Sequence, residues 1–282
     1  MTRGELKRVA EMGWNLPVAA GDGVYYFTNS ESGPLRYPQE GLHVLGLEGG
    51  GGYWFDHRAA SVSRVLTRLG VTHMWEVGAG TGAMANRLIP PLTEIVAIEP
   101  LAEGARAAAR LGLPSLSGTL QSLHLPANAV ECIGAFDVVE HVVDVADLLS
   151  EIRRVLQPGG VAIVTVPALS ALWGDEDDVA GHVRRYTKGR LVSEFETNGF
   201  LALHTEYLYA SLVAPAAITR ALPYRLGRRR SKESVLAAMR AQLDTSPLID
   251  RTARKLLTVE AAIARRIPLP FGLSILGVFK VA

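Results

Sequence analysis

Short apolar runs alternate with helical patterns through the middle of the chain, between Val71 and Val166. The runs are rich in valine and isoleucine and show no polar alternation, which is typical of parallel strands covered on both faces. They predict strands at residues 73–77, 95–98, 113–116, 130–136 and 161–166. Strands and helices in this rhythm predict an α/β fold with a doubly wound, mostly parallel sheet.

Two helices have recognisable first residues. Asp144 and Thr187 are good N-caps, because their side-chain oxygens can accept a hydrogen bond from the first turn. We expect helices over residues 144–156 and 187–198, the first ended by Pro158-Gly159-Gly160. Further apolar runs at 200–209 and 273–281 predict the last two strands.

The regions that flank these strands predict a domain organisation. The N-terminal region is aromatic, glycine-rich and irregular, and a long insertion separates the last two strands, with helical periodicity over residues 249–267. We expect an N-terminal cap segment at 1–60, a core at 61–210, a helical lid insertion at 211–270 and a final core strand at 271–282. Cap and lid would cover the mouth of the sheet, where open α/β folds bind ligands.

Composition excludes several classes of protein. Hydrophobic residues make up 48% of the 282 residues and charged residues 20%, which indicates a substantial core rather than disorder. The net charge of +1 gives no electrostatic reason to expect a nucleic acid as partner. The only cysteine, Cys132, cannot form an internal disulfide and fits a reducing cytoplasm. The first residues lack the apolar core of a signal peptide, so we expect a cytoplasmic protein.

The longest apolar stretch, residues 207–218, bears on membrane contact. It is too short for a helix that must cross ~30 Å of hydrocarbon, so no transmembrane segment is predicted. The basic cluster Arg228-Arg229-Arg230 follows it and leaves open a weak contact with a membrane surface. A buried or lid helix followed by a solvated loop is the favoured interpretation.

A glycine-rich turn, Gly78-Ala79-Gly80-Thr81-Gly82, follows the strand at 73–77, and we expect a helix from there through Leu88. Glycines let the backbone turn sharply and approach a ligand, while a helix N-terminus offers free N–H groups. With Ala83, these residues also satisfy the dinucleotide-binding pattern G-x-G-x-x-G/A. Glu99 then lies at the expected separation along the chain for a ribose contact. A nicotinamide or flavin oxidoreductase is therefore a rival hypothesis.

Glu76 separates the two hypotheses. It stands two residues before the first glycine, where a pyrophosphate would be repelled by a carboxylate. S-adenosylmethionine (SAM) carries an ammonium and a sulfonium, so a carboxylate there favours SAM. Glu99 can accept hydrogen bonds from both ribose hydroxyls and fits either ligand. The structural alternatives are an ion pair for Glu76 and a role for Glu99 as an acid at a helix N-terminus.

Four segments in order resemble the class I SAM-dependent methyltransferases: WEVGAGTG, IVAIEP, GTLQSLHLPANAVECIGAFDVVEHVVD and LLSEIRRVLQPGG. The nearest subgroup carries an F-D-V-x-E-H motif and includes ubiquinone-type and small-molecule biosynthetic methyltransferases. The resemblance covers residues 71–200, and the C-terminal tail is similar to that of bacterial members in glycan and natural-product biosynthesis. It implies a Rossmann-like sheet of seven strands, the last antiparallel, with SAM as cofactor and S-adenosylhomocysteine as product.

The resemblance also implies cofactor-binding residues. Glu76, Gly78, Ala79 and Gly80 would hold the methionine part and Glu99 the ribose. The segment that usually supplies an acid to the adenine reads Gly118-Thr119-Leu120-Gln121 and has no carboxylate; Leu120 would pack on the ring, and Thr119 or Gln121 would bond it. The further expected cofactor contacts are Gly82, Pro100 and Asp137.

The candidate catalytic residues follow the fourth and fifth core strands. Much of the task in methyl transfer is positioning, and a base is needed only if the acceptor must lose a proton. Asp137 and His141 lie in the motif after strand 130–136, where His141 is a candidate base, or braces the loop together with Glu140. Trp54 and His57 are candidates to touch SAM or acceptor, although packing is the favoured interpretation.

The loop after strand 161–166 carries four acids, Asp175 to Asp178, and then a basic and aromatic group. His182 is the best candidate proton acceptor, Arg184 or Arg185 would hold an anionic substrate group, and Tyr186 would stack on it. Alternatively the arginines pair with the acids and Tyr186 packs under the next helix. The acids as a cation site are a weaker alternative, and no metal is expected.

Together these observations predict a SAM-dependent methyltransferase that acts on a small-molecule biosynthetic acceptor, a natural product or a glycan or lipid precursor, at oxygen. The alternatives are an NAD(P)-type oxidoreductase and a catalytically silent SAM-fold binding module.

Overall fold

A central sheet of eight strands organises the chain; the computed structural model describes residues 4–27, 52–243 and 246–282. The strand order is β1-β4-β3-β2-β5-β6-β8-β7. The strands are β1 Val24–Tyr26, β2 His73–Val77, β3 Glu94–Glu99, β4 Ser115–Ser117, β5 Val130–Phe136, β6 Leu156–Pro167, β7 Phe200–Leu208 and β8 Ser274–Val281.

The sheet is parallel except at its final strand. Strand β8 lies between β6 and β7 and is antiparallel to both, as the resemblance implied. The eighth strand is β1, which comes from the predicted cap segment and pairs in parallel with β4, so that Val24 lies opposite Ser115. Three residues are too few to show a strand period, which is why the sequence predicted seven strands.

Helices cover both faces of the sheet. They are α1 Gly4–Glu11, α2 Tyr53–Leu69, α3 Ala102–Arg110, α4 Val145–Val155, α5 Asp175–Ala180, α6 Lys188–Thr197, α7 Val213–Ala216, α8 Leu222–Arg225, α9 Lys232–Leu243 and α10 Pro247–Ala264, with a π-helix at Ala217–Ala221. Neighbouring strand residues enter opposite core layers: Trp75 of β2 packs with one layer and Met74 with the other. This explains why the core strands are apolar without alternation.

Two predicted N-caps are observed. Asp144 accepts a hydrogen bond from the backbone N–H of Asp147 at the start of α4, and Thr187 accepts one from Arg190 at the start of α6. The predicted helix end at residue 156 agrees with α4, which ends at Val155, but the predicted terminator Pro158-Gly159-Gly160 lies inside β6 and does not end the helix. A turn signal in the sequence here marks an irregular stretch of a long strand.

The segment after the glycine turn also departs from the prediction. Instead of an α-helix through Leu88, the chain forms turns and then a short 3₁₀ helix at Ala85–Leu88. Pro90 and Pro91 follow almost at once and cannot donate the hydrogen bonds that would extend a helix. The turn therefore has no α-helix N-terminus of its own.

The predicted domain limits stay a prediction, but their first boundary falls inside a helix, because α2 runs continuously through residue 60. The insertion is helical: α9 contacts α5 and α10 contacts α2. Among the helices of residues 4–27, 52–243 and 246–282, none has both the length and the hydropathy that a bilayer crossing requires.

Candidate functional site

A cavity of about 940 Å³ lies at the carboxyl ends of the parallel strands. Residues of α2, α9 and the loops after β2 to β6 line it, as expected for an open α/β sheet. The lining includes these predicted site residues: Glu76, Gly78, Ala79, Gly80, Glu99, Pro100, Thr119, Leu120, Gln121, Asp137, His141, His182 and Arg185.

The glycine turn brings backbone close to the cavity. Gly78 has a φ of 69°, and a Cβ there would lie 2.6 Å from Val138 Cγ2. The N–H groups of Gly78 and Ala79 both donate to the carbonyl of Ile98, which ties the turn to β3. A side chain at position 78 would therefore displace the loop after β5.

Gly82 has a different role from the one predicted, since it is not part of the cavity lining. Its φ is 80°, and a Cβ there would lie 2.8 Å from Leu113 Cδ1 and 3.2 Å from Ala108 Cα. Gly82 thus permits the turn to pack against α3.

Glu76 is a buried acid at the cofactor end of the site. Its side chain is 2% exposed, and its Oε2 atom has no hydrogen-bond partner among the described residues. Burial raises the pKa of Glu76 to about 8, and the charge of Glu99 adds to the shift. The ion pair considered as the structural alternative is not found in the described part of the chain. The carboxyl group is held at the cavity without an ion pair, and a backbone hydrogen bond from Ala85 and the charge of Arg58 oppose only part of the rise in its pKa.

Glu99 holds the turn and faces the cavity. Its Oε2 accepts a hydrogen bond from the N–H of Gly80 at 2.8 Å, and its Oε1 accepts one from Leu101 at 2.8 Å. Burial raises the pKa of this carboxyl to about 7. Each carboxylate oxygen retains a second lone pair, so the same group can also accept from ribose hydroxyls.

Arg58 is a site residue that the sequence reasoning missed. It lines the cavity from α2 and is 3% exposed, and its Nη2 atom lies 2.6 Å from Oδ2 of Asp137. Thr165 donates to the other oxygen of Asp137 at 3.1 Å. The signal available in the sequence was a charged residue on the apolar face of a helix, between Phe55 and Val62.

Asp177 organises the other end of the cavity. Its two carboxylate oxygens accept hydrogen bonds from Arg185 Nε at 2.8 Å, Arg185 Nη2 at 3.0 Å and the N–H of Gly174 at 2.8 Å. Nδ1 of His182 lies 2.7 Å away. Although burial raises the pKa of Asp177, the bonds from His182 and Arg185 outweigh it and bring the pKa below its ordinary value.

His182 is oriented by this contact. An ionised carboxylate only accepts, so the proton of the imidazole lies on Nδ1, and Nε2 of the neutral ring is an acceptor. Nε2 lies 4.0 Å from Oε1 of Glu140, and the ring lies 4.9 Å from that of His141, edge to face. The structure thus places His182, His141 and Glu140 together at the cavity wall.

In this group Glu140 is fully buried and His141 is half-buried. Both carboxylate oxygens of Glu140 lack a hydrogen-bond partner among the described residues. Burial raises the pKa of Glu140 well above its ordinary value, and Asp137 adds to the effect. Burial lowers the pKa of His141 to about 4, with a further contribution from His182, so its ring is neutral near pH 7.

Tyr186 and the two arginines do not meet the prediction of an anion-binding group. Tyr186 is fully buried beside α6, does not line the cavity, and carries Arg190 over its ring at 5.3 Å. Arg184 donates to the carbonyl of Val143 at 2.8 Å. Arg185 lines the cavity, but its donors serve Asp177 and the carbonyl of Ala168. Arg185 is therefore a positioning residue.

The four acids that the sequence suggested as a loop lie in helix α5 and hold the insertion. Asp175 and Glu176 pair with Arg230 at 3.4 and 2.7 Å, and Asp178 pairs with Arg229 at 3.2 Å. The acids are thus neutralised by part of the basic cluster in which the sequence suggested a membrane contact. Trp54 lines the cavity and stacks on Tyr209 at 3.8 Å, whereas His57 contacts Tyr209 and is not part of the lining.

Comparisons with known proteins identify methyltransferases as relatives. Residues 75–164 match a family described as a methyltransferase domain. The chain is 29% identical over 153 residues to a probable S-adenosylmethionine-dependent methyltransferase of Mycolicibacterium smegmatis, covering 52% of this chain and 59% of the relative. It is 33% identical over 112 residues to an uncharacterized methyltransferase of Mycobacterium tuberculosis, covering 39% and 42%. Each match spans less than two thirds of the relative.

Solved structures share the fold. A putative methyltransferase of Haloferax volcanii, solved with a methyltransferase activator, superposes with a TM-score of 0.52 at 15% identity, covering 86% of this chain and 93% of that one. The comparisons confirm the resemblance to the class I SAM-dependent methyltransferases and the Rossmann-like fold, with eight strands in place of seven.

Proposed function

We propose, from the methyltransferase domain at residues 75–164 and the class I fold, that the chain transfers a methyl group from SAM to an oxygen of a small-molecule biosynthetic acceptor. The observation that carries the proposal is Glu76: a buried carboxylate, without an ion pair in the described chain, beside a glycine turn. Burying a charge is costly unless a partner neutralises it, and the ammonium and sulfonium of SAM supply such partners.

The residues around Glu76 fit the rest of the cofactor. Arg58 offers its guanidinium to the carboxylate of the methionine part, and Glu99 offers free lone pairs to the ribose. Leu120 is buried at the cavity and supplies an apolar surface for the adenine.

An acid for the adenine is available on a helix that was predicted from the sequence but not connected there with the cofactor. Asp147 of α4 lines the cavity, and its Oδ2 accepts a hydrogen bond from Nε2 of Gln121 at 3.0 Å. We assign to Asp147 the contact with the adenine amino group. This fills the place for which the segment at residues 118–121 offers no carboxylate.

When bound, SAM supplies an activated methyl group: the acceptor oxygen forms a bond to its carbon while the carbon–sulfur bond breaks, and the electron pair stays on the sulfur of S-adenosylhomocysteine. His182 is placed to accept the proton of an acceptor hydroxyl through Nε2. Asp177 fixes the ring and stabilises the charge it gains. The insertion, held to α5 by ion pairs, limits the access of water.

The NAD(P)-type oxidoreductase is disfavoured by two observations. Glu76 would stand beside the pyrophosphate, and the glycine turn is followed by turns and a 3₁₀ helix rather than by the α-helix whose N-terminus would bind it.

Titration calorimetry of the full chain tests the proposal. We expect one S-adenosylhomocysteine per chain and no heat with NADH or NADPH; the reverse pattern would overturn it. The silent-module alternative is tested by incubating the chain with methyl-labelled SAM and fractionated bacterial extracts. Label must appear in a small-molecule fraction. Because methylation at oxygen is part of the proposal, all of the label in that fraction must be present as base-stable methyl ethers.

A further inference from the structure

The acceptor end of the cavity holds a set of metal-ligand side chains. In the described part of the chain, Glu140, His141 and His182 are the one group of three histidine, cysteine or acidic residues whose ligand atoms all lie within 4.8 Å of one another. Two imidazoles and one carboxylate form a recurrent ligand set for first-row divalent ions, with coordination positions left open for a substrate. All three residues line the cavity.

The geometry around His182 is that of a supported metal ligand. A histidine that binds a metal through one nitrogen usually donates its other N–H to a carboxylate, which fixes the ring. Asp177 lies 2.7 Å from Nδ1 and is itself held by Arg185, so Nε2 is directed toward Glu140. A sequence of carboxylate, imidazole and open ligand position is thus already assembled.

Glu140 supplies the electrostatic reason for a cation. The neighbouring acids have partners, since Asp137 pairs with Arg58 and Asp177 with Arg185. Glu140 is fully buried, and neither of its oxygens has a hydrogen-bond partner among the described residues. A buried carboxylate without a partner costs free energy that an ion would recover.

We propose that Glu140, His141 and His182 bind a divalent transition-metal ion of the zinc type, with its open positions toward the acceptor. Ligand bonds of about 2.0–2.2 Å require the three side chains to move together by less than about 1 Å. The ion replaces the expectation of no metal and changes the role of His182, because Nε2 cannot bind an ion and accept a proton at once. A hydroxyl bound to the ion loses its proton to solvent more readily.

Binding of the ion does not depend on methyl transfer; only its role toward the acceptor rests on the proposed function. The experiment therefore uses the metal alone. The full chain is stripped with a chelator, dialysed against limiting Zn²⁺ and assayed for bound metal, and Co²⁺ is added to a second sample for visible absorption and paramagnetic NMR. We expect one ion per chain and strongly shifted proton signals from two histidine rings.

Variants locate the ion. Glu140→Gln and His182→Ala should each weaken Zn²⁺ binding by on the order of a hundredfold, and Asp177→Asn by roughly tenfold to a hundredfold because it supports a ligand without touching the ion. His204→Ala is the matched control: Nε2 of His204 lies 3.4 Å from Glu206, a histidine–carboxylate pair outside the cavity. It should leave binding unchanged.

Absence of a bound ion, fewer than two shifted histidines, or binding unaffected by Glu140→Gln and His182→Ala would each overturn the site. The Co²⁺ spectra of the unmodified chain decide the matter even if a variant fails to fold. Calorimetry with S-adenosylhomocysteine, run on the same metal-free chain, separates the two proposals. Cofactor binding without an ion contradicts only the metal site, and an ion without cofactor binding contradicts only the proposed methyl transfer.

Discussion

The two ends of the cavity treat buried acids differently. At the cofactor end, Glu76 and Glu99 receive backbone hydrogen bonds but no ion pair among the described residues, and burial raises their pKa values to about 8 and about 7. At the acceptor end, Asp177 holds His182 and Arg185, and its pKa is lowered. A compensated acid positions other side chains, whereas an uncompensated one marks a place where a ligand brings positive charge.

Glu140 sharpens this comparison, because it lies at the acceptor end but resembles Glu76 in its electrostatics. Burial raises its pKa, and its oxygens have no partner in the described chain. The same argument that assigns the cationic part of SAM to Glu76 assigns a metal ion to Glu140.

The largest expected effect is on stability, from removing the compensated acid. Asp177→Ala leaves the guanidinium of Arg185, which is only 12% exposed, without its carboxylate partner and should lower the free energy of unfolding by about 3 kcal/mol. Asp178→Ala is the control, since Asp178 is 47% exposed and its ion pair with Arg229 should contribute less than about 1 kcal/mol. Urea unfolding measures both. Equal losses would show that Asp177 is no more important to the fold than its neighbour.

Removing the uncompensated acid should have the opposite effect on stability. The pKa of Glu76 is about 8 in the folded chain and ~4.5 in the unfolded chain. The contribution of protonated Glu76 to the free energy of unfolding is therefore complete below pH ~4.5, decreases above that pH and is fully lost once the pH has risen through 8. Glutamine does not ionise, so Glu76→Gln should stabilise the ligand-free chain by on the order of 3 kcal/mol at pH 7.

The same variant should lose the cofactor. Glu76→Gln removes a charge-assisted contact, and affinity for S-adenosylhomocysteine should fall by about a hundredfold. Thermal melts and calorimetry measure the two effects, with Glu196→Gln on the exposed side of α6 as control. A variant that is both less stable and equally able to bind the cofactor would contradict the comparison.

Cofactor affinity should depend on pH. In the ligand-free chain Glu76 is mostly protonated at pH 6 and half ionised near pH 8, and the cationic ligand binds the ionised form. Affinity for S-adenosylhomocysteine should therefore rise by up to about fiftyfold between pH 6 and pH 8. Calorimetry in two buffers of different ionisation enthalpy should also detect proton release. In Glu76→Gln the affinity should depend less steeply on pH. An unchanged pH dependence would assign the titration to another group.

The smallest expected effect separates two glycines of one turn. An alanine at either position meets a positive φ, at a cost of about 1–2 kcal/mol. Gly82→Ala should lower stability and change cofactor affinity little, because Gly82 contacts α3. Gly78→Ala should lower stability and also lower cofactor affinity, because the added methyl group displaces Val138. Comparable losses of affinity in both variants would restore Gly82 to the cofactor site.

Local patterns predicted much of the fold. The bounds of β2 and β5 were predicted to the residue, because each is a largely buried run. The short strand β1 and the 3₁₀ helix at Ala85–Leu88 were not, since three or four residues carry no usable period. For β1, pairing with the distant strand β4 decides the local structure, whereas at Ala85–Leu88 the two prolines that follow prevent a longer helix.

The two ends of the site also differ in how far local sequence patterns predict them. The cofactor end is built by residues directly after strands, so position along the chain was enough to propose Glu76 and Glu99. The acceptor end depends on contacts between distant elements, such as Arg58 with Asp137 and His182 with Glu140. The sequence identified His182 and Arg185 as a group, but only the structure shows that Asp177 binds both.

The most direct test is a crystal structure of the chain with S-adenosylhomocysteine. The account predicts the ligand's ammonium within hydrogen-bond distance of Glu76, its ribose hydroxyls on Glu99, and its sulfur directed toward the space beside His182. A ligand whose amino-acid end lies away from Glu76, or that binds outside this cavity, would contradict the central claim.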